Sequence, residues 1–137
     1  MEDTIFSKII RKEIPAEIVY EDVHTLAFLD ISPNAPGHTL VIPKEPCRNI
    51  FDMKEASFAP FMRTIQKVAQ ALKAVGAEGV NVITNNEPAA GQVIFHAHAH
   101  VIPRRSGDGL VYGYPEKEKA PPEELKQMAE KLRSVLA

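Results

Sequence analysis

The run His96-Ala97-His98-Ala99-His100 constrains this chain more than any other feature. Side chains on a strand alternate between faces, so a strand here sets three imidazoles on one surface and only alanine methyls on the other. Adjacent members lie roughly 6.5 to 7 Å apart at Cα, close enough to act on one bound group. A lone strand histidine is usually a hydrogen-bonded structural residue. Three in strict alternation each need partners and must avoid mutual repulsion, which turns the pattern toward chemistry. On the residues alone two chemistries stay open: ligation of a zinc ion by histidines at i and i+2 with a further ligand from elsewhere, or action on a phosphate. The flanks offer no nearby cysteine or carboxylate. Asn85, Gly91 and Gln92 instead place amide donors and an unobstructed backbone just before the strand, a neutral set suited to a transferring phosphoryl group.

The elements around this run follow from periodicity. Ile5, Phe6, Ile9 and Ile10 predict a short helix capped by Asp3 and closed by Pro15, and two apolar runs, Glu17 to Tyr20 and Leu26 to Ile31, predict a hairpin. Asp30 ends the second run on the face of Leu26 and Phe28. After a turn-rich stretch, His38 to Ile42 reads as a strand stopped by Pro43. The stripe Phe58, Phe61, Met62, Ile65, Val68, Ala69, Leu72 and Val75 predicts a long helix ended by Gly76, with a start near Ala59 or a kinked turn from Asp52. A strand over Val80 to Thr84 and a last strand over Val93 to Ile102 follow. Leu125, Met128, Ala129, Leu132 and Leu136 mark a final helix with Glu123 and Glu124 in its first turn. The sum is an α+β chain, an antiparallel sheet packed against a few helices.

Composition narrows the function classes. The chain has 137 residues, a formal charge of -2 and one cysteine, Cys47, among 45% apolar residues. That suits one domain with one core, no internal disulfide framework and a reducing, cytoplasmic setting. The amino terminus has no basic, apolar leader, and no run of roughly 18 apolar residues suggests a membrane span. The near-neutral balance gives no electrostatic footprint for nucleic acid. Arg104 and Arg105 are candidates for approaching phosphate, while Lys8, Arg11 and Lys12 read as a solvated helix face.

The segment from Gly91 to Arg104, with its three alternate histidines followed by Val101-Ile102-Pro103, resembles the histidine-triad (HIT) motif. Asp3 to Ile10, Glu13 to Ala16, Phe28 to Pro33 and His38 to Lys44 are similar to the Hint branch of that family almost in register. The likeness runs from about Asp3 to Arg104. It implies a HIT-like fold over residues 1–137, a five-stranded antiparallel sheet with a long helix and shorter terminal helices, and a variable helical tail over about 106–137. It also implies that His98 is the nucleophile toward a nucleotide α-phosphate, with His100 near the phosphate and leaving group and His96 and His38 supporting them. Ile5, Phe6, Ile9, Phe28 and Ile31 then surround a purine, Asp30 accepts from the ribose, and Asn85, Gly91 and Gln92 lie on the phosphate side. The expected activity is cleavage of purine nucleoside phosphoramidates or adenylylated compounds by a homodimer, without cofactor. The alternatives are dinucleoside polyphosphate hydrolysis, as in the Fhit-like branch, and a nucleotide-binding regulator with little turnover.

The chain departs from that pattern in places. Several relatives carry cysteines at the positions of Thr4 and Ser7, and often a histidine at that of Pro46, which together hold a structural zinc; no metal is expected here. Val93 stands where many relatives have a hydroxyl touching phosphate, Leu29 replaces a polar residue, and the tail lacks tryptophan.

Overall fold

The computed structural model describes residues 3–112 and 118–136. Helix α1 (Ile5–Ile10) is followed by strands β1 (Ile18–Glu21), β2 (Thr25–Leu29) and β3 (Thr39–Pro43). Next come the long helix α2 (Phe58–Ala74), strand β4 (Gly79–Ile83), strand β5 (Ala99–Arg104) and helix α3 (Pro122–Arg133). The five strands form one antiparallel sheet in the order β1-β2-β3-β5-β4.

Both faces of the central strands are buried, and the two-residue period sorts their side chains. Ala27, Leu29, Val41, Ala99 and Val101 face α2 and α3, packing on Phe61, Ile65, Val68, Leu72, Ala129 and Leu132. Leu26, Phe28, Leu40 and Ile42 face the other way, onto Phe6 and Ile9 of α1. Each of these larger apolar side chains stabilises the fold by about 1.5–3 kcal/mol through burial. Two glycines shape the connections. Gly37, at φ +101°, turns the chain into β3 where an added Cβ would sit 3.0 Å from Leu72 Cδ2, and Gly76, at φ +120°, ends α2.

Three local expectations are corrected. The cap of α1 is Thr4, not Asp3: the Ser7 amide donates to Thr4 Oγ1 at 3.1 Å and the Thr4 amide to Ser7 Oγ at 3.2 Å. Asp3 instead pairs with Arg11. Within the α2 stripe, Phe58 and Met62 lie about half exposed rather than in the core. The start of α2 at Phe58 agrees with the expected start near Ala59, and a 3-10 turn over Glu55–Ser57 leads directly into it.

The last strand starts later and ends later than expected, at Ala99–Arg104 instead of Val93 to Ile102. The register pairs Val41 with Ala99, so the next residues would pair Pro43 with Ala97. Proline has no amide hydrogen to continue that ladder. The Ala97 amide turns instead to the Cys47 carbonyl at 2.9 Å, and the Thr84 hydroxyl donates to the His98 carbonyl at 2.9 Å. Side-chain and loop hydrogen bonds therefore hold His96 and His98 in place of a regular ladder.

Candidate active site

The three histidines keep a common face although only His100 lies in a strand. Phe6 of α1 meets both His96 and His98 edge-on, with ring centroids 6.4 and 5.0 Å away, and the His98 and His100 rings are 5.2 Å apart. His38, immediately before β3, joins them because β3 and β5 are neighbours: its Nε2 is 2.9 Å from His100 Nδ1.

Hydrogen bonds decide which nitrogen of each neutral ring carries the proton. A carbonyl only accepts, so His98 donates from Nδ1 to the His96 carbonyl at 2.7 Å and keeps its lone pair on Nε2. His96 donates from Nε2 to the Pro43 carbonyl at 2.7 Å, leaving its buried Nδ1 without a partner. A backbone amide only donates, so Asn34 N–H fixes His38 Nδ1 as an acceptor at 3.0 Å. His38 then donates from Nε2 to His100 Nδ1, and the proton of neutral His100 sits on Nε2.

Burial keeps these rings neutral. Loss of hydration lowers the pKa of His96 and His98, pushes His38 down to about 4, and, with the fields of His38 and His98, pushes His100 down to about 3. Asp30 moves the other way: burial raises its pKa, against the pull of the Ser32 amide that donates to Oδ1 at 2.8 Å. Its other oxygen lies 3.6 Å from His38 Nε2, beyond a good hydrogen bond.

His98 and His100 line a cleft of about 350 Å³, large enough for a small ligand. One end is apolar, formed by Ile5, Phe6, Ile9, Phe28 and Ile31 with Ile14, Pro15 and Ala16. Asp30, close to His38 and His100, also lines the cleft, as do Leu29, Leu40, Gly91, Val93, Ile94 and Tyr112. Ile5 and Ile31 stand at the rim, each about half exposed, and Val93 is 82% exposed there, so it turns a methyl surface to solvent where a hydroxyl was expected in relatives.

Not every anticipated residue reaches the cleft. His96 and His38 stand behind its wall. Gln92 is buried with its amide fully used: it accepts from Asn49 Nδ2 and the Glu87 amide, and donates to the carbonyls of Arg48 and Ile94. Any contact from this side chain to phosphate would break those bonds. Asn85 donates from Nδ2 to the Tyr112 hydroxyl at 2.9 Å. Neither Arg104, the last residue of β5, nor Arg105 lines the cleft. Arg104 grips Asp108 through two nitrogens and also donates to Asn81 Oδ1 and the Leu110 carbonyl, while the Arg105 guanidinium lies beside Gly76.

Sequence reasoning missed the apolar lining residues Ile14, Pro15, Ala16, Leu40 and Ile94 and, beside the imidazoles, Tyr112. For Tyr112 the signal was present in the turn Gly107-Asp108-Gly109, whose two glycines have φ of 75° and 67° and bend the tail back over the sheet. Tyr112 thereby meets the His100 ring with centroids 5.5 Å apart.

The residues at the relatives' zinc position do not fit a thiolate site. The Thr4 and Ser7 hydroxyls are spent on each other and on helix amides, and Pro46 has no donor atom. Among the described residues, the group able to surround a cation is Asp30, His38 and His100, whose donor atoms lie within 4.8 Å of one another. A cation there would have to open the His38–His100 hydrogen bond. No helix among the described residues is long and apolar enough to cross a membrane.

Comparison with known proteins places this arrangement. The model of the HIT domain matches residues 11–107. An uncharacterized HIT-like protein of Methanocaldococcus jannaschii is 46% identical over 112 residues, covering 82% of this chain and 87% of the relative. The adenosine 5'-monophosphoramidase hnt1 of Schizosaccharomyces pombe is 39% identical over 131 residues, covering 95% and 96%. The crystal structure of a Hit-like protein from Bartonella henselae matches with a TM-score of 0.91 and 44% identity, covering 98% of this chain and 96% of that one. The matched span contains His38 as well as the three alternate histidines, and on sequence and fold alike the chain belongs to the HIT family.

Proposed function

We propose that this protein is a nucleotidyl hydrolase or transferase that cleaves purine nucleoside 5'-monophosphate derivatives, phosphoramidates or adenylylated compounds, through a nucleotidyl-His98 intermediate. The observation that carries the reading is the tautomer of His98. Its Nδ1–H is held by the His96 carbonyl, so the lone pair is on Nε2 of a ring lining the cleft. The apolar end takes the purine, Asp30 accepts from the ribose, and the α-phosphate then sits at His98. The His96 carbonyl keeps its hydrogen bond as the ring gains charge, and His100 Nε2–H donates to the phosphate or leaving atom.

In the first step Nε2 of His98 forms a bond to phosphorus as the bond to the leaving amine breaks. In the second a water oxygen takes the place of Nε2. The leaving nitrogen takes a proton from His100, charged beside the bound anionic phosphate, and in the second step the attacking water returns a proton to His100 as its hydroxide joins phosphorus, so one water is consumed in all. Burial by itself holds the imidazoles neutral, so any imidazolium forms only when the anionic phosphate raises their pKa. The resemblance to the S. pombe phosphoramidase supports the amidate as substrate.

The same reading pairs two copies along β4, an edge strand of the sheet. Ile50, Phe58, Met62 and Val82 are each about half exposed around a groove of about 390 Å³, an apolar surface suited to burial in a twofold interface. A reducing cytoplasm suits the buried Cys47, whose thiol burial pushes up to about 11.

The test is covalent capture of labelled nucleotide from adenosine 5'-phosphoramidate, alongside steady-state rates on that amidate and on diadenosine tri- and tetraphosphate. Capture by the wild type and its loss in His98→Ala are expected. Undiminished capture in the variant rejects His98 as nucleophile. Preference for the polyphosphates would assign the other enzymatic activity, and tight AMP binding without turnover a regulatory role.

A further inference from the structure

The segment that carries His96 and His98 lies outside the strand ladder, so bonds from elsewhere in the fold must set its position. They come chiefly from residues 43–49, the end of β3 and the turn after it. The Pro43 carbonyl accepts from His96 and the Cys47 carbonyl from the Ala97 amide. The Arg48 carbonyl accepts from Gln92 Nε2 at 2.7 Å, and the Arg48 guanidinium lies over the Phe95 ring, 4.3 Å from its centroid.

Asn49 is the buried polar side chain of this clamp, 1% exposed. Its Nδ2 donates to Gln92 Oε1 at 3.0 Å and to Glu87 Oε2, so both amide hydrogens cross to the opposite segment. Its Oδ1 accepts from the Phe51 amide at 3.0 Å, which fixes the side chain to its own turn. Gln92 passes the restraint on, because its Nε2 also donates to the Ile94 carbonyl on the way to His96 and His98.

The backbone of Glu87 is held against its own preference at the same place. It has φ +81° and ψ 155°, a conformation that essentially only glycine adopts freely, and such strain persists only where surrounding bonds over-determine it. Here Arg48 donates to the Glu87 carboxylate at 2.9 and 3.0 Å, Asn49 donates to it as well, and the Glu87 amide donates to Gln92 Oε1 at 2.8 Å.

We infer that Asn49 is a positioning residue for the reaction: through Gln92 it holds residues 92–98 so that His98 Nε2 faces the phosphorus. Asn49 does not line the cleft, and so it acts on geometry and not on substrate affinity. The inference rests on the nucleotidyl-transfer reading, in which His98 attacks.

The experiment measures kcat and KM on adenosine 5'-phosphoramidate for wild type, Asn49→Ala, Glu87→Ala and Glu87→Gln. Alongside, NMR follows two imidazole protons, His98 Nδ1–H and His38 Nε2–H. Asn49→Ala is expected to lower kcat about 10- to 100-fold, the cost of a small misplacement of the attacking atom, with KM within about threefold of wild type. Glu87→Ala, at a partly exposed side chain, weakens the same chain of bonds and costs kcat about threefold. Glu87→Gln keeps an acceptor for Asn49 and restores the rate. In Asn49→Ala the His98 proton exchanges faster with water, while the His38 proton, held between Asn34 and His100, stays as it is. General loosening of the fold would move both protons. An unchanged kcat in Asn49→Ala, a rise in KM alone, or both protons moving together overturns the inference and leaves the nucleotidyl-transfer reading intact. Should that variant not fold, an unchanged kcat in Glu87→Ala does the same. A wild type inactive on the amidate overturns the nucleotidyl-transfer reading instead, and the two proton signals then decide whether Asn49 positions His98.

Discussion

Stability should fall between pH 7 and pH 5, well above the range in which most carboxylates titrate, because the site buries neutral imidazoles. In the unfolded chain His38 takes a proton near its ordinary pKa of 6.5, whereas the folded chain, with His38 only 2% exposed, delays protonation to about 4. Below 6.5 the unfolded state therefore binds more protons than the folded one, and stability is lost as pH falls, over the window from about 6.5 down to about 4. Each pH unit in that window costs about 1.4 kcal/mol, so His38 alone removes about 2 kcal/mol by pH 5. His100, held down to about 3, and His96 and His98, lowered by the same burial, act in the same direction. The raised carboxyl of Asp30 acts in the opposite one. Against a typical stability of about 5–15 kcal/mol this loss is large. The assay is guanidinium unfolding at pH 7 and pH 5 for the wild type and for His38→Gln, which has no titrating group at that position. The variant starts less stable because its bonds to Asn34 and His100 change, but its stability should fall by about 2 kcal/mol less between the two pH values. An unchanged wild-type midpoint, or equal slopes in the two proteins, refutes the claim that burial keeps His38 neutral.

Activity should show the same electrostatics. The acidic limb of kcat/KM reports protonation of the free nucleophile, so it should lie below pH 6.5; Asp30→Asn, which removes a carboxylate that favours the charged His98, should move it lower still, as a pH-rate profile of both proteins would show. A limb above 6.5 would contradict the burial argument. Sedimentation at micromolar concentration should find a dimer that Met62→Glu separates into monomers, because the substitution puts a charge into the apolar surface around Val82. Purified protein should contain no stoichiometric zinc by elemental analysis, since Thr4 and Ser7 are committed to the cap of α1, and a chelator should leave the amidate rate unchanged.

The elements that sequence made legible are those whose information is local. The stripe through α2, the terminal helix after Pro121 and the alternation of strand residues announce a periodicity wherever they sit. The alternate histidines belong to the same class, because a two-residue spacing fixes a shared face before any partner is known. Resemblance then supplied the roles expected of the apolar residues around Phe6 and Phe28, and the cleft collects Ile5, Phe6, Ile9, Phe28, Asp30 and Ile31 as one surface. The start of β5 was not legible, since it depends on Pro43, a residue more than fifty positions away that becomes its neighbour only when β3 and β5 pair.

What the sequence by itself determined was the α+β architecture and the gathering of imidazoles on one face, both consequences of short-range spacing. Tertiary structure decided the proton positions of His96 and His100, through the Pro43 carbonyl and through His38 across a strand pair, whereas His98 and His38 take theirs from groups two and four residues away once the fold has set their backbone. It alone spent Gln92 and Arg104 on structural bonds and brought Tyr112 onto His100. One physical reason covers the long-range cases among these. A side chain's hydrogen-bonding and protonation state depends on which distant groups share its surroundings after folding, and residue spacing along a chain carries no record of them.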